Sequence, residues 1–372
     1  MPSSVAPALF TPLKVGQHTL SHRIVYPPMT RLRGGDNGIP SENDVLYYQQ
    51  RATKGGLIIA GAAGTSANAG AFPHINNIFT NEQIEAWKKV TAAVHEKEGV
   101  IFLQIAHLGR ATFSSLLPEG QHVISASDIP IAGVNPMGFP YETPRAMTLD
   151  EIKTVTEEFA QAARNAITAG FDGVEIHGAN GFLVDQFTNS SSNKRTDHYG
   201  GSIENRTRFA LEIVDAIAQA IGEDKTALRL SPFSDYQDAT DDTPVATWSH
   251  ITATLEKTHP HLAYLHFIEP RVSLEVDGPA DEGSEESLDP ILAHWSGPVI
   301  SSGNYTYDIK TAYAYAEKGP NKLVAFGRAF IANPDLVERV RNHWKLNPYN
   351  RATFYTPGPE GYIDYPYYTE DK

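Results

Sequence analysis

The chain has 372 residues, of which 41% are hydrophobic and 20% charged, so it can fill a large core and wholesale disorder is excluded. It contains no cysteine, which excludes disulfides, iron–sulfur clusters, cysteine-ligated zinc and thiol catalysis. Its net charge is −14, from 30 Lys and Arg against 44 Asp and Glu, and this argues against nucleic-acid binding by phosphate neutralisation.

The N-terminal residues lack the basic segment and apolar run of a secretory signal, and no apolar stretch approaches the roughly 20 residues of a membrane span. We therefore expect a cytoplasmic protein that contacts neither membrane nor nucleic acid. Residues 10–20 then predict a hairpin with Gly16 at its turn, within a cap of residues 1–21 at the bottom of the fold.

Eight short apolar runs follow one another along the chain with little polar alternation. Runs rich in Val, Ile, Leu and Phe are typical of parallel strands that are covered on both faces. The predicted strands cover residues 22–29, 56–63, 100–107, 173–178, 226–232, 262–269, 298–303 and 323–328.

Segments with apolar residues at spacings of three and four lie between these runs and predict helices. Thr148 is the predicted N-cap of one helix, with Glu151 three residues later, and Ser202 is the predicted N-cap of another. The predicted helices cover residues 81–98, 149–169, 204–221, 244–257, 307–318 and 334–344.

The strand–helix alternation predicts an α/β protein with a closed (β/α)₈ TIM barrel. A doubly wound sheet is the alternative, and eight units without a reversal signal favour the barrel. We expect a single domain over residues 1–372. A Pro/Gly-rich insertion at 108–147 occupies the place of a lid, and the tail at 347–372, which holds seven aromatic residues, should wrap over the barrel.

Active sites of such barrels lie where strands end and loops begin, and this rule alone selects candidate residues. The residues at those positions are Pro28, Met29, Thr30, Ala62, Gln104, His177, Asn180, Arg229, Ser302, Gly303, Asn304, Gly327 and Arg328.

The ends of the last two strands predict a phosphate site. Gly303 and Gly327 allow backbone N–H groups to approach an anion, and Arg328 adds a bidentate donor. The alternative is that both glycines form tight turns and that Arg328 pairs with an acidic neighbour.

His177 and Asn180 could together hold a carbonyl oxygen and stabilise the negative charge that it gains during a reaction. A core histidine and a loop-capping asparagine are an equally supported alternative. Arg229 occupies a buried position and requires an anion, which is either a ligand or Glu175 on the neighbouring strand. No set of residues has convincing metal-ligand spacing, so no metal site is predicted.

Several motifs resemble those of the Old Yellow Enzyme family of flavin-dependent ene-reductases, and the tail and residues 27–31 resemble its fungal members. The most specific motif is FDGVEIHGANGFLVDQFTNSSSNKRTDHYGGSIENRTRF at residues 171–209. Others follow in the family order at residues 27–31, 229–232, 302–304, 326–335 and 361–366.

This resemblance implies a barrel that binds FMN, takes electrons from NADPH or NADH, and transfers hydride from flavin N5 to small α,β-unsaturated carbonyl compounds. It places Pro28, Met29, Thr30, Ala62 and Gln104 at the flavin ring. It also places Arg229 near flavin N1 and O2, and it implies that His177 and Asn180 together bind the carbonyl oxygen of the substrate, an arrangement called the carbonyl grip below. The implied phosphate grip and remaining pocket residues are Ser302, Gly303, Asn304, Phe326, Gly327, Arg328, Phe354, Tyr355 and Phe72.

The sequence departs from the family pattern at Phe182, where a proton-donating tyrosine is expected. Phenylalanine has no proton to give, so flavin-mediated isomerisation or desaturation in a fungal secondary-metabolic pathway is the alternative to ene-reduction. A non-redox barrel for a phosphorylated substrate and an inactive flavoprotein are the competing classes. The segments 108–147 and 271–287 are expected to shape the substrate pocket.

Overall fold

The computed structural model describes residues 6–35, 37–70, 72–134, 138–270 and 285–370. Most of the segment 271–287, which was expected to shape the pocket, therefore lies outside the described residues. The prediction about it stays a prediction.

The eight predicted strands form a closed parallel barrel, which confirms the (β/α)₈ fold and excludes the doubly wound sheet. In chain order the barrel strands are β3 (Ile24–Tyr26), β4 (Leu57–Gly64), β5 (Val100–Ala106), β8 (Gly173–Gly178), β9 (Thr226–Leu230), β10 (Tyr264–Ile268), β11 (Val299–Ser302) and β12 (Lys322–Ala325). Around the barrel their order is β10, β11, β12, β3, β4, β5, β8 and β9.

Helices surround the barrel and include all six that were predicted. These are α2 (Asn81–His95), α3 (Leu149–Thr168), α5 (Ile203–Ile221), α6 (Pro244–Thr258), α8 (Ile309–Glu317) and α10 (Leu336–Arg341). Thr148 and Ser202 cap α3 and α5 as predicted, and Glu151 completes a capping box at Thr148. The helix predicted from residue 307 begins at Ile309 because the side chain of Asp308 caps it.

Within the described residues, four further helices were not predicted: α1 (Glu42–Arg51), α4 (Leu183–Thr188), α7 (Asp289–Leu292) and α9 (Gly327–Ala332). The first has a signal that could have found it, since Ser41 and Asp44 form a capping box. Its buried face is made of Tyr47 and Tyr48 rather than aliphatic residues, so the apolar periodicity is weak.

The predicted hairpin closes the lower end of the barrel through β1 (Leu13–Val15) and β2 (His18–Leu20). Leu13, Val15 and Leu20 pack in one buried cluster with interior side chains of the strands. Gly16 has φ +53°, and a Cβ there would lie 2.0 Å from the carbonyl oxygen of Asp224, so only glycine fits this turn.

The insertion after β5 carries a small two-stranded sheet of β6 (Ile124–Ser125) and β7 (Arg145–Ala146). Its first part is held tightly by Arg110, which is 1% exposed and donates to the carbonyl oxygens of Ile129, Gln237 and Asp238. This segment is therefore bonded to the loop that follows β9.

The C-terminal tail lies across the residues that follow β3. Arg31 donates to the carbonyl oxygens of Phe354 and Gly361 at 3.1 and 2.8 Å. Tyr362 stacks on Tyr47 with ring centroids 4.0 Å apart. None of the helices in the described ranges combines the length and apolar character that crossing a membrane requires.

Candidate active site

A cavity of about 330 Å³ lies at the carboxyl ends of the barrel strands, and most of the predicted site residues line it. Those that do are Pro28, Met29, Thr30, Ala62, Phe72, Gln104, His177, Asn180, Phe182, Arg229, Ser302, Asn304, Gly327, Arg328, Phe354 and Tyr355. Gly303 and Phe326 lie beside the cavity without lining it. Phe326 is fully buried in the core, and a side chain at position 303 would clash with the ring of Tyr305 at 2.8 Å.

The sequence analysis did not predict the other residues that line the cavity. Tyr236 and Ile268 follow or end strands and could have been found by the same strand-end rule. Leu108, Ile75 and Arg351 come from loops and the tail, where no local pattern marks them. The remaining ones are Pro27, Arg31, Tyr305, Thr306, Ala325 and Ile331.

A continuous hydrogen-bonded chain of four side chains lies at the base of the cavity. Gln104 Nε2 donates to Glu175 Oε1 at 2.7 Å, and Glu175 Oε2 is 2.8 Å from His266 Nδ1. His266 Nε2 is 2.7 Å from the hydroxyl of Ser302. Glu175 and His266 have no exposed surface. The sequence analysis considered Glu175 only as a partner for Arg229 and did not predict this chain.

Arg229 lines the same cavity, is 8% exposed, and its Nε atom is buried without a hydrogen-bond partner. Burial lowers the pKa of Arg229, and the nearby charge of Glu175 opposes that fall. Glu175 hydrogen-bonds with Gln104 and His266, and no ion pair joins it to Arg229 within the described ranges. The cation is therefore left to meet an anionic ligand from the cavity.

The end of β8 supplies a second pair of unmet polar groups. His177 Nδ1 and Asn180 Oδ1 are both buried without a partner. Burial, with the charge of Arg229, places the pKa of His177 well below its usual value, so the imidazole is neutral. Asn180 has φ +58°, and its backbone N–H donates to the Ser231 hydroxyl at 2.8 Å. The alternative of a core histidine with satisfied hydrogen bonds does not fit these atoms.

The loop that carries Asn180 is tied down by one buried carboxyl group. The backbone N–H of Gly181 donates to Asp185 Oδ2 at 2.8 Å, and Asn189 Nδ2 donates to Asp185 Oδ1 at 2.9 Å. Burial raises the pKa of Asp185 to about 7, against the effect of these hydrogen bonds. The geometry of Asn180 thus depends on a side chain that does not itself line the cavity.

Phe182 presents an apolar ring to the same corner. Its centroid lies 4.7 Å from that of His177, with the two rings nearly perpendicular. It also packs on Leu108 and Ile131 of the insertion. The position therefore provides shape and desolvation beside His177, and it provides no proton.

Tyr236 lines the cavity from the loop after β9, next to two residues in left-handed backbone conformation. Gln237 has φ +60° and Asp238 has φ +55°, which is unfavourable for side chains of this kind. Arg110 holds both of their carbonyl oxygens, at 2.8 and 3.1 Å. The strained turn is thus fixed by the insertion, and with it the backbone that carries Tyr236.

The predicted phosphate corner brings together Asn304, Gly327 and Arg328. A side chain at position 327 would meet only Met29 Sδ at 3.6 Å and Pro27 Cγ at 3.8 Å, so the glycine leaves this wall open. Arg328 Nη1 donates to the hydroxyl of Tyr307 at 3.3 Å. Within the described ranges no cluster of three or more His, Asp or Glu side chains could hold a metal ion.

Comparison with known proteins gives one consistent result. The NADH:flavin oxidoreductase / NADH oxidase family matches residues 8–347. The chain is 45% identical over 374 residues to 12-oxophytodienoate reductase 1 of Oryza sativa subsp. japonica, covering 99% of this chain and 96% of that protein. It is 43% identical over 366 residues to 12-oxophytodienoate reductase 2 of Arabidopsis thaliana, covering 96% and 95%. Morphinone reductase in complex with tetrahydroNAD shares the fold with a TM-score of 0.89 and 39% identity, over 98% of each chain.

Proposed function

This chain belongs to the NADH:flavin oxidoreductase / NADH oxidase family of Old Yellow Enzymes, and we propose that it reduces the C=C bond of small α,β-unsaturated carbonyl compounds in the described cavity. FMN is its cofactor, and NADPH or NADH is its reductant. One observation carries the proposal: Arg229 and the pair His177 and Asn180 bring two separate sets of unmet polar groups to one cavity. Membership of this family removes the non-redox barrel hypothesis.

The residues on the Arg229 side fit FMN. Arg229 is a buried cation without a partner for Nε, which suits a ring system that becomes an anion on reduction. Gln104 donates an amide N–H to Glu175, and its carbonyl oxygen could accept a hydrogen bond from the imide N–H of the flavin ring. Gly327 and Arg328 would hold the phosphate. When bound, FMN supplies the hydride that the double bond accepts.

The opposite side fits the carbonyl group of the substrate. A neutral His177 keeps one ring N–H, and Asn180 has an amide N–H₂, so both can donate to one oxygen atom. Because these groups are buried, their hydrogen bonds strengthen as the oxygen gains negative charge. His177 and Asn180 would therefore lower the barrier to hydride arrival at the β-carbon.

The proton for the α-carbon must come from a group other than Phe182. The hydroxyl-bearing side chains of Tyr236 and Tyr355 line the same cavity, and Tyr355 is 62% exposed at its mouth. A donor from this set, or water that it admits, would complete the reduction. Protonation is then the step that the substitution at position 182 weakens.

The absence of a proton donor at Phe182 supports a second candidate function. The Phe182 ring closes on His177 and packs against Leu108 and Ile131, so the corner where a proton would be delivered is apolar. Slow protonation would give the enolate time to return its hydride. If the enolate rotates about its Cα–Cβ bond before the hydride returns, the product is the isomerised enone and no NADPH is consumed. Desaturation would be the reverse of reduction, with hydride passing from a saturated carbonyl compound to oxidised FMN, and it would need an electron acceptor such as O₂ or a second enone to reoxidise the flavin.

One experiment separates these activities. Purified protein should show the visible spectrum of FMN, lose it on anaerobic addition of NADPH, and regain it when a cyclic enone is added. Saturated product equal to the NADPH consumed supports ene-reduction, and isomerised product with catalytic NADPH supports the second candidate. Flavin that neither NADPH nor NADH reduces would contradict both and favour an inactive flavoprotein.

We also propose a cellular location, a metabolic role and roles for the individual site residues. A cytoplasmic location rests on the cysteine-free composition, which suits a reducing compartment. A role in secondary metabolism rests on Phe182, since a specialised substrate tolerates the loss of a general proton donor more readily than a broad detoxifying activity does. The roles of the individual site residues are likewise part of this proposal.

A further inference from the structure

The buried chain Gln104–Glu175–His266–Ser302 has two ends in the cavity and a centre that solvent does not reach. Gln104 and Ser302 line the cavity, whereas Glu175 and His266 do not. Its members come from β5, β8, β10 and β11, so the chain crosses the barrel interior. Nothing in the proposed reaction requires a carboxylate at this depth.

Glu175 occupies the chain as an acceptor on both oxygens. Gln104 donates an amide N–H to Oε1, and His266 Nδ1 lies 2.8 Å from Oε2, where its Nδ1–H tautomer would donate to a carboxylate. Burial lowers the pKa of His266, so the ring is neutral and its Nε2 accepts from the Ser302 hydroxyl. With an ionised carboxylate at its centre and the Nδ1–H tautomer of His266, every bond in this scheme has one donor and one acceptor.

This arrangement fixes the orientation of Gln104. If the amide were turned round, its oxygen would face the carboxylate oxygen of Glu175 at 2.7 Å, and two acceptors would repel each other. The carbonyl oxygen of Gln104 is therefore presented to the cavity. Glu175 therefore influences a ligand in the cavity through Gln104, without contacting that ligand itself.

The negative charge of Glu175 also acts electrostatically on the guanidinium group of Arg229. On β9, Ala227 pairs with Glu175 and Arg229 pairs with His177, so the two charged side chains lie two residues apart on neighbouring strands. Burial lowers the pKa of Arg229, and the charge of Glu175 opposes part of that fall, although no ion pair joins the two side chains among the described residues. Its negative charge thus offsets part of the field of Arg229 and leaves the guanidinium group available.

We propose that Glu175 is a positioning residue for the cofactor that holds the Gln104 carbonyl toward the flavin ring and lowers the flavin reduction potential. The second effect follows because a buried negative charge beside Arg229 weakens the stabilisation of the anionic reduced ring. The inference rests on the proposed function, since it requires FMN in this cavity. It adds a role for two residues, Glu175 and His266, that do not line the cavity.

Glu175→Gln tests the charge while preserving the hydrogen bonds. The introduced amide can accept from Gln104 and donate to His266 Nδ1, and the imidazole can then donate from Nε2 to Ser302. We expect the two-electron midpoint potential to become more positive by about 30 mV, which corresponds to a tenfold change in the ratio of reduced to oxidised flavin. Phenols, which bind as anions, should bind several-fold more tightly to the oxidised protein.

Glu158→Gln is the matched control. Glu158 is a partly buried carboxylate on α3 that accepts from the Ser66 hydroxyl at 2.9 Å and lies outside the cavity lining. Its replacement should leave the midpoint potential and phenol binding unchanged. If it shifts both as much as Glu175→Gln does, the effect is one of net charge, and the inference is wrong.

Gln104→Met tests positioning while preserving the charge. It should weaken FMN binding to the apoprotein about tenfold, through the loss of one hydrogen bond, without moving the potential to more positive values. Unchanged FMN affinity would contradict the role given to Gln104, and an unchanged or more negative potential in Glu175→Gln would contradict the role given to Glu175.

A second variant keeps the test decisive if Glu175→Gln alone folds poorly. The double variant Glu175→Gln, His266→Gln gives a neutral chain of amides in which each N–H again meets a carbonyl or hydroxyl oxygen, and the same positive shift is expected. A wild-type protein that binds no FMN would refute the proposed function itself. A wild-type protein that binds FMN, together with variants that show no shift, would refute only this inference.

Discussion

The two ends of the barrel are made from the same eight strands but have opposite polar character. At the lower end, Leu13, Val15 and Leu20 of the hairpin join interior aliphatic and aromatic residues in one buried cluster, in which the hydroxyl of Tyr264 is a polar atom without a hydrogen-bond partner. At the upper end, Arg229 and the pair His177 and Asn180 leave buried polar atoms without partners. Unsatisfied polar groups cost stability, so the lower end stabilises the fold while the upper end retains groups that require a ligand.

The largest expected effect at the upper end comes from Phe182→Tyr. A phenol placed beside His177 could protonate the substrate carbon, and a positioned acid contributes about 10²–10⁴-fold to such a step. Reoxidation of reduced flavin by a cyclic enone should accelerate within that range, as followed by stopped-flow absorbance, while reduction by NADPH stays the same.

Phe139→Tyr is the matched control for that comparison, because it makes the same Phe-to-Tyr change at an exposed position of the insertion that does not line the cavity. It should leave reoxidation unchanged. If Phe182→Tyr also leaves reoxidation unchanged, protonation is not limited by position 182, and the account of this substitution fails.

The second effect tests the lower end. Leu20 is fully buried in the hairpin cluster, and Leu20→Ala should destabilise the protein by about 2–5 kcal/mol in denaturant unfolding. FMN content and enone turnover at low denaturant should not change. Thr19→Ala, on the exposed face of the same strand, is the control and should cost less than about 0.5 kcal/mol. Loss of flavin in Leu20→Ala would show that the two ends are not independent.

The contrast between the ends also explains what the sequence could predict. The barrel strands are short runs of buried residues, as in Val100–Ala106, and their composition identifies them without any neighbour. Residues at strand ends, such as His177 and Arg229, follow from the barrel rule as soon as the strands are placed. Prediction was therefore strongest where local composition and position determine the result.

The relations that were missed depend on contacts between distant segments. The Glu175–His266 bond joins residues 91 apart, and only the closed barrel brings them together. The strained turn at Gln237 and Asp238 depends on Arg110, more than 120 residues away. No periodicity in a single segment carries this information.

A third effect tests the carbonyl grip at the upper end. Substitution of both His177 and Asn180 by Ala should weaken binding of a phenol to oxidised flavin by about 100-fold, since two hydrogen bonds to an anionic oxygen are lost. The long-wavelength charge-transfer band should disappear in a titration while FMN remains bound. His198→Ala, an exposed histidine outside the cavity, is the control. An unchanged titration in the double variant would place the grip elsewhere.

The last effect, which is the smallest when expressed per pH unit, concerns the pH dependence of stability at Asp185, which holds the Asn180 loop. Burial raises the pKa of Asp185 to about 7 in the folded protein, above the usual value of 3.8 in the unfolded chain. The unfolded state therefore loses this proton first, and the contribution of Asp185 to stability is present below about pH 4 and is lost as pH rises to about 7. The slope is at most about 1.4 kcal/mol per pH unit.

Asp185→Asn removes this titration, since an amide carries no proton that leaves in this range. The variant should gain stability relative to wild type between pH 4 and 7 and run parallel to it above pH 7, in denaturant unfolding at each pH. Buried neutral histidines such as His107 titrate in both proteins and cancel in the difference. A constant difference across this range would mean that Asp185 is ionised in the fold at pH 4, with its hydrogen bonds from Gly181 and Asn189 outweighing burial.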